Sequence, residues 1–564
     1  MSARGSAAQY LPTIILETVV EYVVAMLKAE QGPLQETAKC AILHCCQSWR
    51  AVGVSVFCTD VEVSINIDRD IACFFSKWPS ELAAPSLEGI DRVVKKVQIT
   101  IDSWGVVFSH LQATKPAWLQ LLKRRFTQAR EFRLLIGDPY ASIYFSDGCL
   151  ARISGEIDHL FGLFHQLVPN PKSVSVSWST LNPGHQGQEV IKCLGQKLSA
   201  FAKGASLVKI HDTGTLINMP ISGFVDISPL TGFSYTAFSN QDSVFELIRR
   251  NSPYLQTLSL SSFREANAKQ LLYDENNVPV KYLRLQSLHL DPGYTQELIE
   301  LKTAKEFVPF PALQRLDIWQ TYPFGDDVVF RGNSDSLRHV RLPIYREFVA
   351  MCEECGIFTP EKFSHLRSLS VSVTRSFSFR SEEDKTNLIR SLGKIVESAV
   401  SGPLLSFAFR ILFLDMDSLE TVLRHPALSR ISSLDLSGTI VRFPDVVRIL
   451  QIFPFVRWLA VFLESKMAKF KGVSKAKLAD YVIESYSGIC QYLQTVCLAV
   501  STKKDGASAA NHVALLALIG PRLKVVEVKN ARENMVKAPF NDLLKTRPFN
   551  EHAERLSLVR FTTS

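Results

Sequence analysis

The chain has 564 residues, of which 46% are hydrophobic and 21% are charged, and its net charge is +8. These proportions are those of an ordinary globular protein. The basic residues are spread along the sequence rather than gathered into one patch, so the charge pattern does not favour a nucleic-acid-binding protein.

Cysteine usage and hydropathy give expectations about the compartment. The eleven cysteines are an odd number without a recognisable framework, and the N-terminus lacks the pattern of a secretory signal. No apolar run approaches the ~20 residues needed to cross a bilayer. We therefore expect a soluble protein of the cytoplasm or nucleus that does not enter membranes.

Two helix-like stretches occupy the first 60 residues. The first begins at Leu11-Pro12 and is apolar along much of its length, and proline suits the first turn because its missing N–H has no partner there. After a break at Gly32-Pro33, a second stretch carries Cys46, Trp49 and Arg50. We predict a small helical module over residues 1–60.

These residues resemble the F-box, whose opening is a Leu-Pro followed by paired aliphatic residues and whose later half typically carries a Cys-basic-basic-Trp-basic stretch, to which Cys46, Trp49 and Arg50 correspond. The resemblance implies that the module docks on a Skp-type adaptor and, through it, on a cullin–RING ubiquitin ligase. The alternative is that the helices only form a hydrophobic cap for the domain that follows. The residues that the resemblance assigns to adaptor binding are Leu11, Pro12, Ile15, Leu16, Val19, Val20, Val23, Trp49 and Arg50.

Residues 61–250 show strand-like alternation in weak, widely spaced copies. The clearest follows the helical module, where Val61, Val63, Ile65 and Ile67 alternate with other residues. Later candidates are centred on residues 97–99, 132–134, 174–176 and 207–210, and helix-like runs lie between them.

From residue 255 onward, the pattern apolar-x-x-apolar-x-apolar recurs eleven times. It begins with Leu255, Leu258 and Leu260, and its central residues are 24 to 38 positions apart. Helix-like runs such as Gln241 to Asn251 precede the strands, so each unit is predicted to be a helix, a turn and a strand. A period in this range is typical of a repeat solenoid and resembles that of leucine-rich repeats.

Alternate residues of a strand point to opposite faces, so the last two apolar residues of each copy enter the core and the residue between them faces outward. A polar residue occupies most of these outward positions, and Trp319 follows one of the strands with Arg315 nearby, a combination typical of recognition surfaces. The residues that we predict to bind a protein substrate on this concave face are His289, Asp317, Trp319, Arg341, Asp435 and Glu527.

The Asn or Cys that usually follows the strands of a leucine-rich repeat is missing. Phe263, Gly293 and Thr439 stand at the corresponding places, so backbone groups must find other partners and the curvature is expected to be irregular.

Motifs of catalytic chemistry are absent from the sequence. Cys352 and Cys355 have the spacing of half a zinc site, but no second pair or nearby histidines complete four ligands. Phosphate-binding, dinucleotide-binding and nucleophile-elbow motifs are also missing. We predict neither a metal, nor a cofactor, nor an enzymatic activity.

The sequence thus predicts an α/β protein with an F-box-like module at 1–60 and an irregular leucine-rich-repeat-like solenoid, shaped as a horseshoe or arc, at 61–564. The expected function is substrate recognition for a cullin–RING ubiquitin ligase, with the substrate an unknown protein. The alternative is a repeat scaffold for protein–protein interaction that has no link to ubiquitin.

Overall fold

The fold is taken from a computed structural model of the full chain. The structure describes residues 62–66, 73–74, 96–101, 129–136, 171–178, 184–212, 229–236, 242–261, 265–291, 303–333, 335–359, 362–373, 382–399, 403–410, 416–463, 491–500, 520–529 and 558–562, with single positions around 155–170, at 227, and around 484–489 and 513–516. The chain divides into two compact units, Met1–Arg284 and Leu285–Ser564. The predicted boundary at residue 60 lies outside the described residues.

In unit 1, parallel strands follow one another in chain order. Strand β1 pairs in parallel with β3, and each strand from β3 to β8 pairs in parallel with the next, whereas β2 is antiparallel to β1. The strands are β1 (Glu62–Asn66), β2 (Cys73–Phe74), β3 (Lys96–Ile101), β4 (Glu131–Ile136), β5 (Ser173–Trp178), β6 (Leu207–Asp212), β7 (Gly232–Thr236) and β8 (Thr257–Ser261).

Unit 2 repeats this arrangement without an antiparallel strand among its described residues. Each strand from β9 to β18 pairs in parallel with the next one in the chain. The strands are β9 (Ser287–Asp291), β10 (Arg315–Ile318), β11 (His339–Ile344), β12 (Ser368–Val373), β13 (Ser406–Arg410), β14 (Ser433–Val441), β15 (Trp458–Leu463), β16 (Thr495–Val500), β17 (Val525–Lys529) and β18 (Leu558–Thr562).

The apolar triplets form the core, as predicted from their spacing. In β10, Leu316 and Ile318 are at most 1% exposed, and the first member of that triplet, Leu313, is fully buried. The same holds along unit 2, where the first triplet residue of every repeat from β9 to β17 is at most 2% exposed. The chain is therefore an α/β protein with open parallel sheets, because no pairing of described residues joins the first strand of either unit to its last.

A recurring hydrogen-bond pair connects successive repeats just before the strands. The carbonyl of Gln314 accepts the N–H groups of Arg338 and His339 at 2.8 and 3.0 Å, and the carbonyl of Arg338 accepts those of Arg367 and Ser368 at the same distances. Equivalent pairs occur at every described step from β9 to β17 and from β4 to β8. This ladder pairs backbone N–H and C=O groups at the strand starts, without the Asn or Cys side chains that a leucine-rich repeat usually has.

One of the repeats has its own buried asparagine. Asn251, fully buried at the end of a helix, accepts the N–H of Leu230 at 2.8 Å and donates to the carbonyls of Ile227 and Leu247, both at 3.0 Å. The side chain thus ties the end of this helix to the segment that leads into β7.

Helices fill many of the connections. Three successive helices of unit 2 pack on one another, α5 on α6 and α6 on α7, and α2 packs on α3 in unit 1. The helices are α1 (Gly184–Ala202), α2 (Asp242–Asn251), α3 (Glu265–Leu272), α4 (Arg346–Glu354), α5 (Glu382–Glu397), α6 (Met416–Leu423) and α7 (Phe443–Ile452).

The order of the strands decides where the helices lie. Parallel strands joined by right-handed crossovers that always step in the same direction place every crossover on the same face of the sheet. The apolar residues of the strands point to that face and bury those of the helices, such as Val446 and Leu450 of α7. The outward positions of the strands therefore form a face that these helices do not cover.

One connection differs from the predicted unit. Between β10 and β11 the described residues form turns and no helix, so the prediction of a helix in every repeat is wrong here. Tyr322, Phe324 and Phe330 are at most 3% exposed and replace the apolar face of a helix. The Arg331 guanidinium holds this loop through ion pairs with Asp326 at 3.0 Å and Asp327 at 2.6 Å.

The described helices were also compared with the length and apolarity that a bilayer requires. None of them combines enough residues with enough hydropathy to span a membrane.

Candidate functional site

The outward residues of unit 2 stand in one row across the sheet. The backbone register places Asp317 beside His289 on one side and beside Arg341 on the other. The same register continues to Asp435 and Glu527. The single residue between the last two apolar positions of each triplet therefore occupies an equivalent place on the strands from β9 to β17, as the alternation predicts.

Four of the predicted substrate-binding residues lie together at β9–β11. The Asp317 carboxylate is 3.3 Å from Nδ1 of His289, and both Nε of Arg341 and Nη2 of Arg315 lie 3.7 Å from it. Trp319 completes the group, because its ring lies 6.2 Å from the His289 ring in an edge-on arrangement. We call His289, Arg315, Asp317, Trp319 and Arg341 the β9–β11 cluster.

The tryptophan is held from the neighbouring strand. The guanidinium carbon of Arg341 lies 3.2 Å from the centre of the Trp319 ring, which is a close cation–π contact. The sequence suggested Arg315 as the partner of Trp319, because the two are near in the chain. That pairing is wrong, since Arg315 contacts Asp317 and leaves its own side chain 61% exposed.

Burial and charge act against each other at Asp317. Burial opposes ionisation, but the hydrogen bond from His289 and the positive charges of Arg341 and Arg315 outweigh it and hold the pKa of Asp317 below its ordinary value. For Arg341, burial lowers the pKa and the charge of Asp317 opposes that shift. The carboxylate is thus charged at neutral pH, surrounded by a surplus of cationic groups.

Several polar atoms of this cluster lack hydrogen bonds. Among the described residues, Oδ1 of Asp317, Nε1 of Trp319 and Nε of Arg341 are buried without a partner, as is Oε1 of Gln320. Buried polar atoms are usually paired, and unpaired ones are costly. The side chains are therefore positioned largely by stacking and charge.

The fifth predicted residue, Asp435, belongs to a second ion pair. Arg410 of β13 donates two hydrogen bonds to Oδ2 of Asp435, at 2.6 and 3.2 Å, while the N–H of Ser437 donates to Oδ1 at 2.9 Å. Burial opposes ionisation of Asp435, yet these bonds hold its pKa below the usual value. Sequence reasoning missed Arg410, whose only signal was its place directly after an apolar triplet.

Glu527 does not join either group. It lies on β17, three strands from Asp435, a separation of about 14 Å at the usual strand spacing. The outward positions between them are occupied by Ala460 and Cys497, which are 2% and 3% exposed. The polar, accessible part of the predicted face is thus concentrated at β9–β13.

The adaptor-binding residues predicted between Leu11 and Arg50 lie outside the described residues. Cys352 and Cys355 are near the end of α4 as free thiols, and burial raises the pKa of Cys352. Across the described part of the chain, no three His, Cys, Asp or Glu side chains are grouped so that they could hold a metal ion.

Comparison with known proteins places the chain in no family. No model of a protein family matches this sequence, and no curated protein is significantly similar to it.

Proposed function

We propose that the chain is a non-enzymatic receptor that binds a protein through the outward face of the unit 2 sheet, with the β9–β11 cluster at the centre of the contact. The observation that carries this proposal is the Arg341–Trp319 stack beside Asp317 on a face that the described helices leave uncovered. Tryptophan and arginine are the residues most enriched among those that dominate binding energy at protein interfaces.

The architecture supports this use. Consecutive parallel strands, a backbone ladder repeated at each described step of unit 2 and helices on one face are the features of a leucine-rich-repeat-like solenoid. We propose that the repeats form an irregular arc. Such a fold presents a long row of side chains at fixed spacing, which suits recognition of another protein.

The link to ubiquitin is a separate part of the proposal and rests on the F-box-like sequence of residues 1–60. In that reading the module docks on a Skp-type adaptor, and the sheet selects the substrate of a cullin–RING ligase. If the N-terminal helices are only a cap, the chain is a scaffold without this link.

Two experiments test the two parts. For the face, proteins captured by the full chain are compared between wild type, Trp319→Ala/Arg341→Ala and the control Arg390→Ala, which changes an exposed residue of α5. We expect at least one protein to be captured by wild type and by the control but not by the double variant. That protein should also bind the purified chain directly. Equal capture by both variants would exclude the cluster from binding.

For the adaptor, the purified full chain is mixed with a Skp-type adaptor. We expect a complex that the combined change of Leu11, Pro12 and Trp49 to alanine abolishes. An adaptor that binds neither form, or both equally, leaves the scaffold as the better description.

A further inference from the structure

The repeat fold gathers basic residues that are distant in the sequence. In each repeat from β10 to β17 we consider the residue before the first triplet position and the two residues after it, for example Ser336, Arg338 and His339 for β11. These 24 positions form the strand-start edge of unit 2, because the strands are parallel and in register. All of them belong to the described residues.

The edge carries charge of one sign only. Its 24 positions hold seven arginines and lysines and no aspartate or glutamate, although the composition of the chain predicts about three residues of each sign. Two histidines add to the set. The basic members are Arg315, Arg338, His339, His365, Arg367, Arg430, Arg457, Arg522 and Lys524.

Four of these side chains point into solvent without an acidic partner among the described residues. Arg338, Arg367, Arg430 and Arg457 are exposed, and none of them has an acidic partner within the described part of the chain. Burial, followed by the charges of Arg315, Arg367 and Arg338, lowers the pKa of His339, so these groups lie close enough to act on one another.

The helix side of unit 2 differs. There, acidic groups meet basic ones, as in the ion pair of Glu353 with Lys394 at 2.7 Å and that of Asp417 with Arg448 at 3.1 Å. At the strand-start edge, by contrast, Arg338, Arg367, Arg430 and Arg457 meet no acidic group of the described residues, which is the pattern of a surface that meets an anionic partner.

Aromatic rings, one of them exposed, stand among these basic groups. Phe455 is 54% exposed, and its ring centre lies 5.7 Å from that of Tyr492 in the next repeat. The guanidinium of Arg522, one repeat further, lies 5.4 Å from the centre of the Tyr492 ring. Trp458 is half-buried beside them on β15. Three successive repeats thus align two rings and a cation along the edge.

We propose that the strand-start edge of unit 2 binds single-stranded nucleic acid, with its guanidinium groups on the phosphates and Phe455 and Tyr492 stacked on bases. Basic side chains that follow the backbone, interleaved with aromatic rings, are the combination that recognises unpaired strands. From β10 to β17 the edge measures about 34 Å, which accommodates a segment of several nucleotides.

An acidic peptide is the other anionic ligand to consider, and the aromatic rings argue against it. A carboxylate has no aromatic ring to stack on Phe455, and the negative face of an aromatic ring repels an anion. Duplex nucleic acid is also less suitable, because its bases are already stacked. The site shares only Arg315 with the β9–β11 cluster, and the variants that test it leave that residue unchanged, so failure of either proposal leaves the other standing.

The test uses the full chain and fluorescein-labelled oligouridylate and oligothymidylate of about 15 nucleotides, with binding measured by fluorescence anisotropy between about 50 and 200 mM salt. We expect log Kd to rise linearly with log salt, by about 0.7 for each phosphate contacted. Arg338→Gln/Arg367→Gln should reduce this slope by about 1.4 and weaken binding.

Replacing the aromatic residues should have a different effect. Phe455→Ala/Tyr492→Ala should weaken binding about tenfold or more, with little change in the salt slope, because stacking displaces no counterions. Arg338→Lys/Arg367→Lys should keep the slope. Lys203→Gln/Arg390→Gln, which removes the same charge from exposed positions elsewhere, should change neither quantity.

Circular dichroism and thermal melting of each variant confirm that the fold is kept. The proposal is overturned if the oligonucleotides do not bind, or if a polyglutamate peptide of equal length binds more tightly than they do. It is also overturned if the aromatic variant binds as well as wild type, or if the charge control weakens binding as much as the edge variant does.

Discussion

Replacing Asp317 with asparagine removes a charge and keeps the shape of the side chain. In the wild-type protein this carboxylate is within 3.7 Å of basic nitrogens on His289, Arg315 and Arg341. Arg341 is only 17% exposed, so Asp317→Asn leaves a poorly hydrated cation without its counter-ion. The reason to expect destabilisation is therefore the orphaned guanidinium rather than the lost carboxylate itself.

The magnitude follows from the exposure of each partner. Breaking a fully buried ion pair costs about 3–5 kcal/mol. Here Arg315 is 61% exposed and can be solvated by water, and Arg341 keeps its stack on Trp319. We therefore expect Asp317→Asn to lower the free energy of unfolding by about 1–3 kcal/mol.

The assay is urea unfolding of the full chain followed by circular dichroism. The matched control is Asp335→Asn, which makes the same chemical change at an exposed position and should stay within about 0.5 kcal/mol of wild type. Adding Arg341→Gln to Asp317→Asn should recover part of the loss, because the double variant has no orphaned cation. A destabilisation no larger than that of Asp335→Asn, or a double variant whose loss is the sum of the single ones, would refute this reasoning.

Three further predictions concern stability. Folding lowers the pKa of Asp317, so the stability that its ionised carboxylate contributes is present above the unfolded-state pKa of about 3.9 and is lost as pH falls through the folded value. The difference in urea midpoint between wild type and Asp317→Asn should therefore shrink in acid. Gly438→Ala should destabilise by about 1–3 kcal/mol in thermal melting, because its Cβ would stand 2.5 Å from Cα of Arg410, whereas Gly393→Ala on α5 meets nothing within 4 Å and should stabilise by about 0.5–1 kcal/mol. Asn251→Ala should cost at least about 2 kcal/mol in urea unfolding, because it leaves a buried N–H without its partner. A loss below about 0.5 kcal/mol would show that water replaces the side chain.

The strands were largely predictable, because the core residues of each strand form a short apolar pattern in the local sequence. The alternation at residues 97–99, 132–134 and 174–176 becomes β3, β4 and β5, and the triplets of unit 2 up to residue 528 become β9 to β17. The last predicted triplet, Ala553, Leu556 and Leu558, is wrong by three residues, because β18 pairs Val559 rather than Leu556 with Val526. Strand β7 was missed, because one of its two inward residues is Tyr235, which is 1% exposed but does not count as apolar in the pattern. A pattern that treats tyrosine as polar does not detect a strand whose inward residue is a tyrosine.

The candidate site was predictable only in part, for a related reason. Alternation identifies which residue of a strand faces outward, and this is enough to place His289, Asp317 and Arg341 in one row. It does not say which neighbours touch, because that depends on cross-strand register. Trp319 therefore contacts Arg341, which is 22 positions away in the chain, rather than the nearby Arg315.

The same consideration changes how charge should be judged in a repeat protein. Basic residues that occupy the same place in each repeat are separated in the sequence, here by roughly thirty residues. The sequence therefore indicated no basic patch. In the fold, equivalent positions lie one strand apart, about 4.8 Å. Arg338 and Arg367 are 29 residues apart in the chain and one strand apart in the sheet. For such a chain, the sign of charge at each position within the repeat is the informative quantity, and the strand-start positions of unit 2 are the ones where acidic residues are missing.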